Sequence, residues 1–405
     1  MEPTALPRSS LPTTTNPPRA RGGFWCVFAL GAAFVTASVL GSPYVPSGDS
    51  TVLETVPAIA TTGKLAPVRA RVAAHPEDLQ SALTLARGYL DIGRSEADPR
   101  FVSYAEATLS PWLKREHPNP AVLTLEATCL QYLHRFSEAL RLLNQAIAID
   151  AFNGQAWLTK ATILQVQGHF DEARQACRPL IQSSGQLIAL TCLTAVNSLT
   201  GKLEPSYTAL RDIFTNDPRL DPALRVWILD QLADMAQRAG DDVAAEGYFQ
   251  AALQARPADG STKADYADLL LRHGRAAEVL DRLHGDEQQD NLLLRLAIAA
   301  KRLRAGQALR LGDEFQDRYE AARRDGDMTH LREQARFLLE VRGNAAAALE
   351  VAAHNWNVQR EPADVRIYWE AAAIAGDAHA SGRLREWIAQ THYEDAVLGG
   401  LAAHP

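Results

Sequence analysis

Residues able to do chemistry are scattered along this chain, and no catalytic pattern gathers them. The 405 residues contain no GxxxxGK[ST] phosphate cradle, no GxGxxG after a strand, no GxSxG elbow and no HExxH metal pair. The eleven histidines lie apart: His75, His117 and His134 stand near expected turns, and His354 sits beside Trp356. His273, Asp281 and His284 come nearest to a metal set, but their spacing puts the two histidines on different helices, so they read as solvated turn residues. Trp227, Trp356, Trp369 and Trp387 read as core anchors rather than a ligand cage. Of four cysteines, Cys26 lies in an apolar run, leaving Cys129, Cys177 and Cys192 with no CxxC spacing. An odd remainder argues against a disulfide framework. A single Cys177–Cys192 bridge is geometrically conceivable, yet two reduced core thiols are the expectation, because cysteine is commonly buried. No enzyme, cofactor or metal site is expected. With a net charge of −7 the chain lacks the basic stripe that phosphate binding needs, so nucleic acid is excluded as a partner. No small-molecule substrate is evident, and KRLR at 301–304 reads as a solvated helix face.

The elements are more legible. Gly168, Gly201, Gly240, Gly274, Gly343 and Gly376 each end an apolar helical stretch and precede a second one. The clearest unit reads GQAWLTKATILQVQGHFDEARQACRPL. Counting Trp157 as position 4, small residues fall at 8 (Ala161) and 20 (Ala173), with Leu164, Gly168 and Phe170 between them. Leu123, Ala127, Leu130, Phe136 and Ala139 precede their counterparts by 34 residues, although Glu126 and His134 depart from the pattern. Leu232, Ala233, Gly240, Ala245, Phe249, Ala252 and Pro257 mark a later unit. An earlier one carries Leu85, Ala86, Tyr89 and Gly93, with extra residues before Ala105. These spacings resemble the tetratricopeptide repeat over roughly residues 75–390, in a bacterial membrane-anchored or exported form. The resemblance implies an all-α, right-handed superhelical solenoid of antiparallel hairpins that binds other molecules. Apolar residues at 47% can fill a continuous core.

In the resembled family, fixed positions of each first helix line the concave groove. Carried over to this chain, the resemblance implies a partner-binding face of Thr124, Thr128, Gln131 and Tyr132, then Gln155, Thr159, Thr162 and Gln165, then Thr191. The next unit changes to Trp227, Asp230 and Asp234, an acidic end suited to a basic segment. The first nine are uncharged and suit a peptide backbone with apolar side chains better than a carboxylate. The chaperone-tail clamp of some family members uses Lys and Asn where this chain has Thr or Leu.

The first part of the chain is different material. Residues 1–22 are rich in Pro, Thr and Ser and are expected to be disordered. Residues 23–40 run without a charge, at the lower limit for a transmembrane or signal helix. Arg8, Arg19 and Arg21 precede that run, whereas Asp49 and Glu54 follow it, a bias that keeps the N-terminus cytoplasmic. Residues 41–66 then form a tether, 67–390 the repeat domain and 391–405 a tail. The expected protein is a non-catalytic scaffold at the inner membrane, anchored through residues 23–40. Its repeats face the periplasm, or the chain is released there after cleavage. A factor for envelope polysaccharide export or glycan binding is the alternative, and an enzyme with an unrecognised C-terminal site is the third reading.

Overall fold

The computed structural model describes residues 60–96, 98–214, 220–324 and 329–402, and these are helical with no strand among them. After α1 (Ala66–Ala74), the helices pair as α2 (Leu79–Glu96) with α3 (Arg100–Leu113), and α4 (Pro120–Tyr132) with α5 (Phe136–Ile149). Next, α6 (Gly154–Val166) pairs with α7 (Phe170–Cys177), which a single turn, α8 (Leu180–Ser183), follows. The series continues as α9 (Gln186–Ser198) with α10 (Leu203–Ile213), and α11 (Pro222–Ala239) with α12 (Asp242–Ala255). Then come α13 (Gly260–Arg272) with α14 (Ala276–Arg282), and α15 (Asp290–Arg302) with α16 (Ala308–Arg324). The last pairs are α17 (Leu331–Arg336) with α18 (Ala345–Trp356), and α19 (Pro362–Ala375) with α20 (Ala378–Thr391), before α21 (Ala396–Ala402). A π turn, Phe337–Val341, extends α17.

Local chemistry accounts for these boundaries. All six hairpin glycines adopt left-handed backbone, with φ from 68° to 82°, where a Cβ would be strained. His134 and Arg304 make the same turn at φ 54° and 53° without glycine. Helix α2 instead runs straight through Gly93 to Glu96, so the extra residues of the first unit lengthen a helix as well as a loop. Helix starts are capped by side-chain oxygens: Asn119, Asn153, Asp221, Asp241, Asp259, Asn344 and Asp377 each accept from a backbone N–H one or two residues into the helix. Each such cap contributes about 1 kcal/mol.

Small residues let the paired helices approach. Ala127, Ala139, Ala161, Ala173, Ala233 and Ala245 are all buried, and Leu143, Leu180 and Leu232 fill the space around them. The hairpins do not simply extend away from one another. Those formed by α17–α20 pack against the turns of the central repeats, where Trp387 stands 6.4 Å from Phe170 and meets Trp356 edge-on at 5.1 Å. The Arg360 N–H donates to the Val166 carbonyl at 2.7 Å. At Gly201 an added Cβ would stand only 2.8 Å from the His392 Cβ, so glycine serves both the turn and the close approach there. Trp356, Trp369 and Trp387 all pack at this core, as does Trp227 at a neighbouring one, in keeping with anchoring roles.

One expectation fails. Cys177 and Cys192 are joined by a disulfide, with their Cα atoms 5.7 Å apart. Packing of α7 against α9 brings the two thiols into the range a bridge requires. Cys129 remains a buried thiol. No described helix is long and apolar enough to cross a membrane. Residues 1–22, the apolar run 23–40 and most of the tether 41–66 lie outside the described residues.

Candidate partner-binding cavity

The inward sides of α13, α15, α17 and α19 enclose a cavity of about 400 Å³. Its walls carry six arginines (Arg272, Arg295, Arg302, Arg332, Arg336 and Arg366) and four carboxylates (Asp268, Glu333, Glu340 and Glu370), with Leu271, Ile367 and Val397 between them. Their spacing is helical. Asp268 and Arg272 in α13, Arg332 and Arg336 in α17, and Arg366 and Glu370 in α19 are each four residues apart and so share a face.

Most of these charges hold one another. Asp268 receives Arg295 in a two-pronged pair at 2.9 and 2.7 Å and also contacts Arg336, which holds its carboxyl well below the usual carboxylate range despite burial. Glu340 joins Arg336 at 2.7 Å and Arg302, whose guanidinium also donates to the Leu271 carbonyl. Arg332 donates to Asp364 at 2.6 Å and to Glu361. Arg366 grips Asp395 at 2.9 and 3.2 Å. Arg302 therefore contributes to this wall while its side chain, like the rest of 301–304, stays exposed as expected of a solvated face.

A second, smaller space adjoins the first and shares Asp268, Arg272, Arg332 and Arg366 with it; Asp230, Asp234, Asp265 and Gln165 line its other side. Asp230 accepts from the Thr262 hydroxyl at 3.1 Å, and its pKa is raised by burial and by Asp265 and Asp259. Asp265 lines this space with its side chain exposed to it, and desolvation together with Asp268 pushes its carboxyl up to about 7. Asp234 is held by the buried Arg238 at 2.8 Å. The segment after α20 covers this region: Glu394 accepts from the Leu203 N–H at 2.8 Å, Tyr393 is buried over Arg238, and Val397 reaches the cavity wall.

The face expected for binding is divided by the packing. Thr124, Thr159 and Thr191 are buried. Thr124, Thr128, Thr162 and Thr191 donate their hydroxyls to carbonyls one turn back, and Thr159 accepts from Gln155 at 3.1 Å. Gln131, Tyr132 and Thr162 line a cavity of about 310 Å³ whose far wall is His330, Arg332, Glu333 and Gln359 from the C-terminal hairpins. Gln165, Asp230 and Asp234 face the charged region, and Trp227 packs at the core of α11 and its neighbours. Apart from Arg302 in the KRLR run, the arginines and Asp265, Asp268, Glu333, Glu340 and Glu370 were not singled out from sequence. Charges recurring every three or four residues inside otherwise apolar first helices are the signal that marks them.

Paired helices, a left-handed residue closing each hairpin and buried alanines at their crossings together decide the architecture. The fold is tetratricopeptide-like. No protein-family model and no curated protein matches the tetratricopeptide-like chain. Among solved structures, the human IFIT1 dimer with PPP-AAAA is 14% identical, with 81% of this chain and 78% of that one covered at a TM-score of 0.47. The APC/C hetero-tetramer Cut9-Hcn1 is 15% identical over 80% of this chain and 52% of that one, at 0.43. PilF of Pseudomonas aeruginosa is 17% identical over 63% and 96%, at 0.31.

Proposed function

We propose that this chain is a non-catalytic repeat scaffold that captures a segment of a protein partner in its charged cavity. The observation that carries this reading is a pair of adjoining cavities built from the inner faces of successive first helices, with carboxylates such as Asp265 that form no ion pair with a described residue. A partner bringing basic and polar groups there would satisfy those carboxylates. The uncharged Thr and Gln face first expected to bind carries less of the reading, because several of its hydroxyls are already bonded within their own helices.

In the same reading, residues 23–40 anchor the protein in a bacterial inner membrane and the repeats face the periplasm. The charge bias around the run supports this orientation. The Cys177–Cys192 disulfide supports it independently, since such bonds persist in oxidising compartments. Co-purification from membranes tests the scaffold reading. Wild-type protein is expected to retain its partner, and an Asp230→Asn, Asp265→Asn double variant of unchanged helicity to lose it. Equal capture by both would place the binding site elsewhere.

A further inference from the structure

Three charges in the larger cavity lack a carboxylate–guanidinium contact at hydrogen-bond distance; of these, Glu333 is held below the usual carboxylate range, despite burial, by the nearby charges of Arg332 and His330, which leaves Arg272 and Glu370. Arg295, Arg302, Arg332, Arg336 and Arg366 each touch a carboxylate at hydrogen-bond distance. Arg272 does not. Its guanidinium donates to the Gln237 amide oxygen and stands 3.6 Å from Asp242. Across the cavity, Glu370 makes no hydrogen bond and no ion pair with any described residue, although it lies one turn from Arg366, because Asp395 has already taken that arginine. The cavity thus holds an under-satisfied cation and an unsatisfied anion that do not meet each other. Burial draws the Arg272 pKa down, and repulsion from the nearby Arg366 guanidinium adds to it. Burial and the neighbouring Glu340 push Glu370 up.

Both strains have the same remedy. We propose that this cavity binds a short zwitterionic peptide, its carboxylate on Arg272 beside Arg366 and its ammonium on Glu370. Arg366 and Glu370 are separated by one helical turn, about 6 Å along the axis. Two peptide residues span about 7 Å, so a dipeptide reaches from one subsite to the other. Between them, Leu271, Ile367 and Val397 offer an apolar wall for side chains. The volume of about 400 Å³ lies within the range of small-ligand sites. The proposal rests on the reading of these cavities as recognition sites and goes beyond it, assigning the larger one a free peptide in place of a protein segment.

The test is calorimetric titration of the full-length protein with dialanine, N-acetyl-dialanine and dialanine amide. Free dialanine is expected to bind, and blocking either terminus to weaken binding by at least about tenfold, since each block removes one charge-assisted contact. Arg272→Gln and Glu370→Gln are expected to weaken dialanine by a similar factor while circular dichroism and the melting temperature of the free protein stay unchanged. The blocked peptides probe the wild-type fold, so they decide even where a variant melts early. Blocked and free forms binding alike, or no heat from dialanine at millimolar concentration, would overturn the proposal. If partner capture still depends on Asp230 and Asp265 in that case, the scaffold reading stands and only the zwitterion falls.

Discussion

Glycine shows what single residues decide in this chain. Gly240 occupies left-handed backbone at φ 82°, and a Cβ there would meet only Ala396 at 3.5 Å, so the strain of Gly240→Ala is conformational rather than steric. That substitution should cost about 1–2 kcal/mol. Gly93 looks similar in sequence but sits inside α2, with Asp98 and Phe101 at an ordinary 3.4 Å from an added Cβ. Gly93→Ala should therefore be neutral or stabilise by up to about 1 kcal/mol, and opposite shifts in urea midpoint for the two variants check the assignment. Glu126, a departure from the repeat, is half-buried with one carboxylate oxygen unpartnered; burial and Glu106 raise its pKa to about 7. The folded state therefore binds this proton more tightly than the unfolded chain does. Stability from this group is present below the ordinary pKa near 4.5 and is lost as pH rises through about 7. Glu126→Gln should remove that loss, so its melting temperature should gain on wild type between pH 5 and pH 8; parallel curves would show that Glu126 is solvated. The hairpin turns were legible at this scale because only a left-handed residue closes them. His134 and Arg304 were not, since non-glycine residues can be held in the same turn by the packing around them.

At the scale of elements, the crossings of helices within a hairpin were readable because alanine spacing reports close approach. Contacts between neighbouring hairpins were less so. Composition favoured reduced core thiols at Cys177 and Cys192, and only the actual approach of α7 to α9 reveals the bridge. The loop it closes has a sequence separation of 15. In the chain-entropy account, such a loop contributes about 3 kcal/mol. Thermal unfolding with and without reductant should show a loss of that order, absent from a Cys177→Ala, Cys192→Ala variant, whose melting should match that of the reduced protein. Equal stability of oxidised and reduced protein would mean that helix packing alone holds α7 against α9. The expected groove residues illustrate the same limit. The resemblance placed Thr124, Thr159 and Thr191 on the groove side of their helices, but all three are buried, and Asn153 at the start of the next hairpin donates to the Thr124 hydroxyl. Thr159 is 3% exposed, so Thr159→Glu should act as a folding lesion of about 2–4 kcal/mol rather than as a clean block of binding.

For the whole molecule, the contacts hardest to read in sequence are those linking distant parts of the chain, such as Arg360 to Val166 and Glu394 to Leu203. No local pattern announces them, yet they bring the charged walls of α17 and α19 to those of α13 and α15. Compartment is a property of the same scale. The proposed export puts Cys177 and Cys192 in an oxidising environment, whereas a cytosolic body would meet a reducing thiol pool that opposes the bond. Cells expressing the full-length protein can be quenched with acid, denatured, and labelled with a maleimide of added mass, before and after reduction. Export predicts that reduction uncovers two further reactive thiols, and that a Cys177→Ala, Cys192→Ala variant shows no such change. Cys129 and Cys26 label in every case, which provides an internal count of the chain. All four cysteines labelling without reduction would place the repeats on the reducing side and overturn the export reading, while leaving the cavity and the proposed partner capture to their own tests.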